Sequence, residues 1–174
     1  LEAMYNFFHP FQVSYANAYI AWSNLKGQGS SKTLSFTDLL AELSSTRIRK
    51  WDIAIQQIYD QTSVAYKALL PHRRVPFQKG SYGNRVDAVA TLLQAINGDV
   101  SLFDLEAEVT LFHTQITTAR DAQVGGFGAI EAAATTLETT RIAAAQAMFK
   151  NYGSLVVKYY MTPQGISDYM PTEL

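Results

Sequence analysis

Apolar and small residues recur at an unbroken three-four spacing between Ile48 and Leu69. A helix completes a turn about every 3.6 residues, so residues with this spacing share one face, whereas a strand would need strict alternation. The pattern therefore predicts one helix over 48–69 with a single seam to bury. The members of this first seam are Ile48, Trp51, Ile55, Ile58, Thr62, Ala65 and Leu69.

The same spacing returns later in the chain and predicts a second helix of this kind, reaching about Val124. Ser101 followed by Asp104 has the pattern of a helix N-cap at its start. Because each helix must bury its seam, the simplest arrangement is that the two share one core. The second seam consists of Leu102, Leu105, Val109, Phe112, Ile116 and Ala119.

The start of the chain predicts a loosely organised segment over 1–34. Pro10 permits an extended lead-in and then a short helix over 11–25. The glycines and serines of 26–33 are typical of a flexible connector. The three residues before Met4 resemble a cloning remnant, in which case Met4 is expected to be the natural start. They could equally be the interior of a longer chain.

Capping residues and glycines mark further helices. Ser35 followed by Asp38 predicts a helix start. The poor helix formers of 44–46 predict a kink where that helix joins the first seam. A start signal over 80–84 and a stop at Gly98 bound a third helix.

Three glycines within 125–128 separate the second seam from a final alanine-rich helix. They favour a turn over the alternative, one continuous helix with a weak joint. In the resulting antiparallel hairpin, Arg120 would lie near the level of Glu131 and pair with it. Pro163 then ends the final helix. The residues that define this final helix are Ile130, Leu137, Ala144, Met148, Leu155, Val156 and Tyr159.

Together these elements predict an all-α fold, an up-and-down helical bundle of four main helices with an additional N-terminal helix. We expect a single domain over 1–174, with the bundle core over 35–161. The tail, 162–174, could lie back over the bundle end. A chain of 174 residues is long enough to bury such a core without a metal or a disulfide.

Composition excludes several classes of function. The 14 basic and 15 acidic residues give a net charge of -1, too little to attract nucleic acid or an anionic membrane. No window reaches the roughly 18 consecutive apolar residues of a membrane span. The absence of cysteine excludes thiolate chemistry and cysteine-ligated metals, and it leaves the compartment open. Charged residues make up only 17% of the chain, against about 25% in typical domains, so we expect a homo-oligomer or a complex with another protein.

Sequence patterns for catalysis are weak. His9, His72 and His113 lack the partner spacing of a zinc or di-iron site, and His113 is interpreted as a partly exposed helix histidine. The glycines of 125–128 follow a helix and lack a Walker lysine. No nucleophile elbow frames any serine or threonine. We therefore expect no catalytic residue, no metal and no cofactor, and a protein that is not an enzyme.

The most suggestive local feature is a basic loop between Pro71 and Val86 that contains no acidic residue. It ends at a helix N-terminus, where free amides favour anions, so a phosphate or carboxylate could bind there. The structural interpretation is favoured, because cations that follow a helix end complement its dipole and prolines stiffen a loop. The candidate anion site consists of His72, Arg73, Arg74, Lys79 and Arg85.

Acidic residues gather around the start of the second seam helix. In an up-and-down bundle, this acidic cluster and the basic loop lie at opposite ends. Copies of the chain could therefore stack head to tail into rings or filaments. The acidic cluster consists of Asp99, Asp104, Glu106 and Glu108.

Three runs of the chain resemble an uncharacterised family of bacterial all-helical proteins. These runs are ALLPHRRVPFQKGS over 68–81, TTARDAQ over 117–123 and RIAAAQAMFKNYG over 141–153. The resemblance spans roughly 48–160. It implies an all-helical domain and transfers no catalytic residue to this chain.

Two classes of function remain. The favoured one is a non-enzymatic interaction or assembly module, because the charge is low, tyrosine and alanine are abundant and no catalytic constellation is present. The alternative is a bundle that binds a small anionic ligand with the basic loop over 71–85. In that alternative the cations would hold the anion and His72 would move a proton.

Overall fold

The computed structural model describes residues 2–162, and helices account for most of them. Within this range the chain forms no strand, which confirms the all-α class. A π-helix (Leu43–Arg47) and a 3₁₀ helix (Val100–Leu102) accompany the α-helices. The α-helices are α1 (Glu2–Glu42), α2 (Ile48–Ile58), α3 (Val64–Leu69), α4 (Val75–Gln78), α5 (Tyr82–Ile96) and α6 (Phe103–Tyr159).

Helix α6 is uninterrupted, so the expected turn over 125–128 is wrong and the continuous helix is what occurs. The three-four spacing of buried and half-buried positions passes straight through Gly126. Packing of an unbroken seam offsets the roughly 1 kcal/mol that each glycine costs a helix. Because α6 has no turn over 125–128, the hairpin that would pair Arg120 with Glu131 does not form.

Helix α1 is also continuous, so the expected lead-in, the separate helix over 11–25, the connector over 26–33 and the helix start at Ser35 are wrong. Its glycine has a packing role instead. Gly29 is buried, and a Cβ added to Gly126 would lie 3.9 Å from the Gly29 Cα. Glycine lets two backbones approach closely, so a composition typical of a connector belongs here to a helix crossing.

The first seam is confirmed only in its N-terminal half. Helix α2 ends at Ile58, whose side chain is 44% exposed, so one helix over 48–69 is wrong. Asp60 and Ser63 accept hydrogen bonds from backbone amides two and three residues ahead, and such local bonds compete with a helix. The seam residues that are fully buried are Ile48, Trp51 and Ile55.

The second seam is confirmed, because its first five residues are buried and Ala119 packs against them. The cap before it differs from expectation, since Asp99 accepts a hydrogen bond from the Ser101 amide and begins the 3₁₀ helix. The start of α5 is confirmed by Ser81, which caps it, and its end by Gly98, which has a φ of 82°. That left-handed conformation costs glycine little.

The kink expected over 44–46 coincides with the π-helix. A change from α to π hydrogen bonding leaves nearby carbonyl groups short of partners. Gln78 Nε2 donates to the Ser44 carbonyl at 3.0 Å, and the Arg85 guanidinium donates to the Leu40 carbonyl. Two side chains from later in the chain therefore stabilise this irregular turn.

The chain forms two compact units. Unit 1 comprises Leu1–Gly27 with Gly128–Leu174, and unit 2 comprises Gln28–Phe127. The hydrophobic core lies in unit 2. It consists of Phe36, Leu40, Leu43, Ile48, Trp51, Ile55, Tyr66, Leu70, Phe77, Val86, Val89, Leu92, Ile96, Leu102, Leu105, Val109, Phe112 and Ile116.

The expected set of four main helices after an N-terminal helix is not confirmed, because α1 and α6 each take the place of two expected helices. Helix α6 ends at Tyr159, before the expected stop, and Pro163 itself lies outside the described residues together with the rest of the tail. Among the helices over 2–162, none is both long and apolar enough to cross a membrane.

Gly125→Ala is expected to stabilise the chain by about 0.5 to 1 kcal/mol, because alanine favours a helix and the space around Gly125 is open. Gly126→Ala should gain less, since its Cβ would lie 3.2 Å from the Lys32 Cδ. Urea denaturation followed by circular dichroism measures both changes. A glycine turn at 125 would reverse the sign for Gly125→Ala and would contradict a continuous α6.

Candidate functional site

Unit 1 is built from two antiparallel helical segments, the start of α1 and the end of α6. Asn151 Nδ2 donates to the Met4 carbonyl at 2.9 Å. Further along, Arg141 lies close enough to the Tyr15 hydroxyl for an electrostatic interaction. Residues later in α1 therefore contact residues earlier in α6, so the two segments run antiparallel.

Each segment of unit 1 covers one face of the other. Two helices in contact can bury only one stripe each, so apolar residues elsewhere on them stay exposed. In the described part of unit 1, Ala147 and Leu155 are the buried apolar side chains. The half-buried positions on α1 follow a three-four spacing and include Met4, Phe8, Phe11, Ala18, Trp22 and Leu25.

The α1 segment of unit 1 carries no Asp, Glu, Lys or Arg from residue 3 to residue 25. Several large apolar side chains nevertheless lie on its exposed face. An exposed helix face is normally covered by charged and polar residues, so this depletion of charge is unusual. The exposed apolar residues are Tyr5, Val13, Tyr15, Tyr19 and Ile20.

The α6 segment carries a second apolar row outside its buried seam, which we call the apolar stripe. Its large members are exposed, and Phe149 and Tyr160 reach 71% and 70%. No charged residue interrupts it. Glu138 and Arg141 precede it and pair with each other at 2.7 Å. The apolar stripe consists of Ile142, Ala145, Phe149, Tyr152, Val156 and Tyr160.

The residues that define the final helix all lie in α6, but they do not share one buried face, since Met148 is 47% exposed and Val156 belongs to the apolar stripe. Ala147 occupies the buried seam instead of Met148. Sequence reasoning missed the stripe because it looked for one apolar face per helix. Two signals could have found it: a second row with three-four spacing, and the absence of charge from 3–25.

The basic loop lies in unit 2, and the structure gives its five candidate residues different surroundings. Arg74 Nε donates to the Asp52 carboxylate at 2.5 Å. Arg85 turns inward to backbone carbonyls and is half-buried. The remaining three candidates, His72, Arg73 and Lys79, are exposed. Two of the five candidate residues, Arg74 and Arg85, therefore have structural contacts, and the anion site stays a prediction.

A pocket of about 310 Å³ lies beside the basic loop. His72 and Arg73 are the two candidate residues on its wall. Arg73 has a φ of 50°, a left-handed conformation that costs a non-glycine residue about 1 kcal/mol or more. The Asp87 carboxylate lies on the same wall and would repel a bound anion. Leu70, Phe77 and Leu92 contribute apolar surface.

A buried carboxylate explains the position of Arg74. Asp52 accepts hydrogen bonds from the Tyr66 hydroxyl at 2.7 Å and from Gln56 Nε2 at 2.8 Å, in addition to Arg74. Burial alone would raise the pKa of Asp52, but the hydrogen bonds from Tyr66, Gln56 and Arg74 outweigh it and hold that pKa below its usual value. The network ties the chain after α3 to α2.

The acidic cluster is also partly engaged within unit 2. Glu108 accepts hydrogen bonds from Lys50 Nζ at 2.8 Å, Trp51 Nε1 at 3.2 Å and Arg47. Partial burial alone would raise the pKa of Glu108, but these donors outweigh burial and hold that pKa below its usual value. Asp99 accepts a hydrogen bond from the Tyr59 hydroxyl at 2.5 Å. Head-to-tail stacking through this cluster stays a prediction.

The three histidines lie apart from any metal-ligand set. His9 stacks on Tyr5 with ring centroids 4.9 Å apart, and His72 is exposed in the basic loop. The interpretation of His113 as a partly exposed helix histidine is confirmed. Over 2–162, no three His, Asp or Glu side chains are grouped so that they could hold a metal ion.

No protein-family model, curated protein or solved structure matches this chain.

Proposed function

We propose that the chain is a non-enzymatic helical-bundle module for interaction and assembly, and that it self-associates through unit 1. The observation that carries the proposal is the exposed apolar surface of that unit. Protein interfaces have cores that are depleted of charge and enriched in aromatic residues and methionine. The α1 segment over 3–25 and the apolar stripe of α6 carry no Asp, Glu, Lys or Arg and are rich in aromatic residues.

The size of this surface also supports association. Exposed Tyr, Phe, Met, Ile and Val side chains of unit 1 present on the order of 1,000 Å² of accessible area, since a single aromatic side chain accounts for about 150 to 250 Å². A standard interface buries about 800 Å² on each partner, so an interface of that size would use much of the exposed apolar area of unit 1.

Phe149→Glu is expected to dissociate the assembly, because a carboxylate buried without a partner costs several kcal/mol. Phe103→Glu is the matched control: Phe103 lies on the same helix in unit 2 and is 70% exposed, against 71% for Phe149. Sedimentation velocity at tens of micromolar should show the 19.3 kDa monomer for Phe149→Glu and a larger species for Phe103→Glu. Equal behaviour of the two variants would contradict association through unit 1.

A second candidate function is the binding of a small anionic ligand at the basic loop. The pocket beside His72 and Arg73, together with the left-handed backbone of Arg73, favours it. In this proposal Arg73 holds a phosphate or carboxylate while the apolar wall covers the rest of the ligand.

A thermal-shift screen with phosphate, sulfate and nucleotides tests this second candidate. A ligand present at about a hundred times its dissociation constant should stabilise the chain by about 2.7 kcal/mol. Arg73→Ala should abolish the response, whereas Arg49→Ala, at an exposed position on α2, should retain it. Absence of any response in the unaltered chain would contradict ligand binding here.

A further inference from the structure

We propose that two copies dock through the apolar stripe of α6, with the stripes antiparallel about a twofold axis level with 150–151. The inference rests on the proposed function and specifies its partner, a second copy of this chain, and its geometry. A twofold interface is isologous, so the same patch must be complementary to itself when reversed. The stripe has this property.

The spacing of the stripe is nearly the same read in either direction. About an axis between residues 150 and 151, Phe149 lies level with Tyr152 of the second copy. Ala145 lies level with Val156 of the second copy. Ile142 meets Tyr160 to within one residue. Each stripe position therefore faces another stripe position, and the two aromatic pairs lie at the centre of the interface.

Side-chain size favours this arrangement over a parallel one. A parallel twofold pair would place Ala145 opposite Ala145 and Phe149 opposite Phe149. The two alanines would leave a gap, and the two phenylalanine rings one turn away would crowd each other. In the antiparallel pair, Val156 fills the space left by Ala145. Facing large and small residues in this way lets side chains interdigitate at the density of a protein interior.

The charged pair before the stripe selects the register. In the proposed register Glu138 falls beyond the last stripe residue of the second copy. If one copy slid by a heptad so that the twofold axis moved toward the N-terminus, the Glu138 carboxylate would lie level with Val156 of the second copy. The exposed ion pair between Glu138 and Arg141 would then be desolvated. If the copy slid by a heptad in the opposite direction, Ile142 and Ala145 would face no stripe residue of the second copy. Of these three registers, the one about 150–151 gives the largest apolar overlap and keeps Glu138 outside it.

Single-cysteine spin labelling of the full chain tests the geometry, since the chain has no cysteine of its own. Gln146→Cys, Thr139→Cys and Ala132→Cys introduce labels at exposed positions off the stripe. In an antiparallel pair the label separation along the helix grows by about 3 Å per residue from the axis, because each copy contributes a rise of about 1.5 Å. The axial separations should be about 14, 35 and 56 Å. Ser154→Cys, beyond the axis, should give a short distance of about 10 Å along the helix.

Double electron–electron resonance measures these distances, after sedimentation has shown that each labelled protein is associated. Distances that rise from residue 146 to residue 132 and are shortest near 150 support the proposal. Equal distances at all positions, or a minimum elsewhere, would overturn the antiparallel register and leave the proposed self-association intact. A monomeric unlabelled chain would overturn the proposed function itself.

Discussion

Trp51→Ala is expected to lower the free energy of unfolding of unit 2 by about 3 to 5 kcal/mol. Trp51 is fully buried, and its ring meets that of Phe112 edge to face with centroids 5.5 Å apart. Its indole N–H donates to Glu108 at 3.2 Å. Removing the ring leaves a large cavity, breaks the aromatic contact and takes one donor from Glu108, and these effects act in the same direction.

Urea denaturation at one protein concentration measures this loss, with Trp22→Ala as the matched control. Trp22 is half-buried in unit 1, beside Tyr19 and under the Lys26 ammonium, which lies 4.5 Å from the ring centroid. Truncating it removes less buried surface, so the loss should stay below about 2 kcal/mol. Comparable losses for the two variants would contradict a core centred on Trp51.

The second large effect is a loss of stability in acid that depends on Asp52. The folded state holds the pKa of Asp52 below its ordinary value, because the Tyr66, Gln56 and Arg74 hydrogen bonds outweigh the effect of burial. A carboxyl group with a lowered pKa stabilises the folded state above its unfolded pKa. That contribution disappears as the pH falls through the folded-state pKa. Stability should therefore decline below about pH 4.

Asp52→Asn should remove this component and lower stability by about 2 to 4 kcal/mol at pH 7, because Arg74 and the Tyr66 hydroxyl lose a charged acceptor. Urea denaturation at pH 7 and at pH 3 should show a smaller difference for the variant than for the unaltered chain. Glu108 titrates in the same direction, so the difference between the two proteins isolates Asp52. Asp38→Asn, at an exposed position on α1, should change stability by less than about 0.5 kcal/mol. An unchanged acid response in Asp52→Asn would contradict the network.

Hydrophobic spacing predicted the core better than it predicted where helices end. The three-four spacing predicted the buried positions from Leu102 to Ile116 correctly, because apolar residues with that spacing lie on one face of a helix and are buried together. The two long helices were divided wrongly at Pro10 and at the glycines of 125–128. Each of these residues lowers the stability of a helix, but tertiary packing offsets that cost. The close approach of α1 and α6 at Gly29 and Gly126 is an example.

The roles of the basic residues depend on partners that are distant in the chain. Arg74 meets Asp52, and Arg85 meets the Leu40 carbonyl next to the π-helix, so their inward positions follow from tertiary contacts that local sequence does not contain. The apolar surface of unit 1 was within reach of sequence reasoning. Low overall charge pointed to self-association, and the charge-free stretch over 3–25 locates half of that surface directly.

The mass of the unaltered chain in solution tests the central claim most directly. Sedimentation equilibrium from about 1 to 100 μM covers the range in which a standard protein interface forms. Self-association through unit 1 predicts a mass that rises with concentration toward twice the 19.3 kDa of one chain. A constant 19.3 kDa over the whole range would contradict the account.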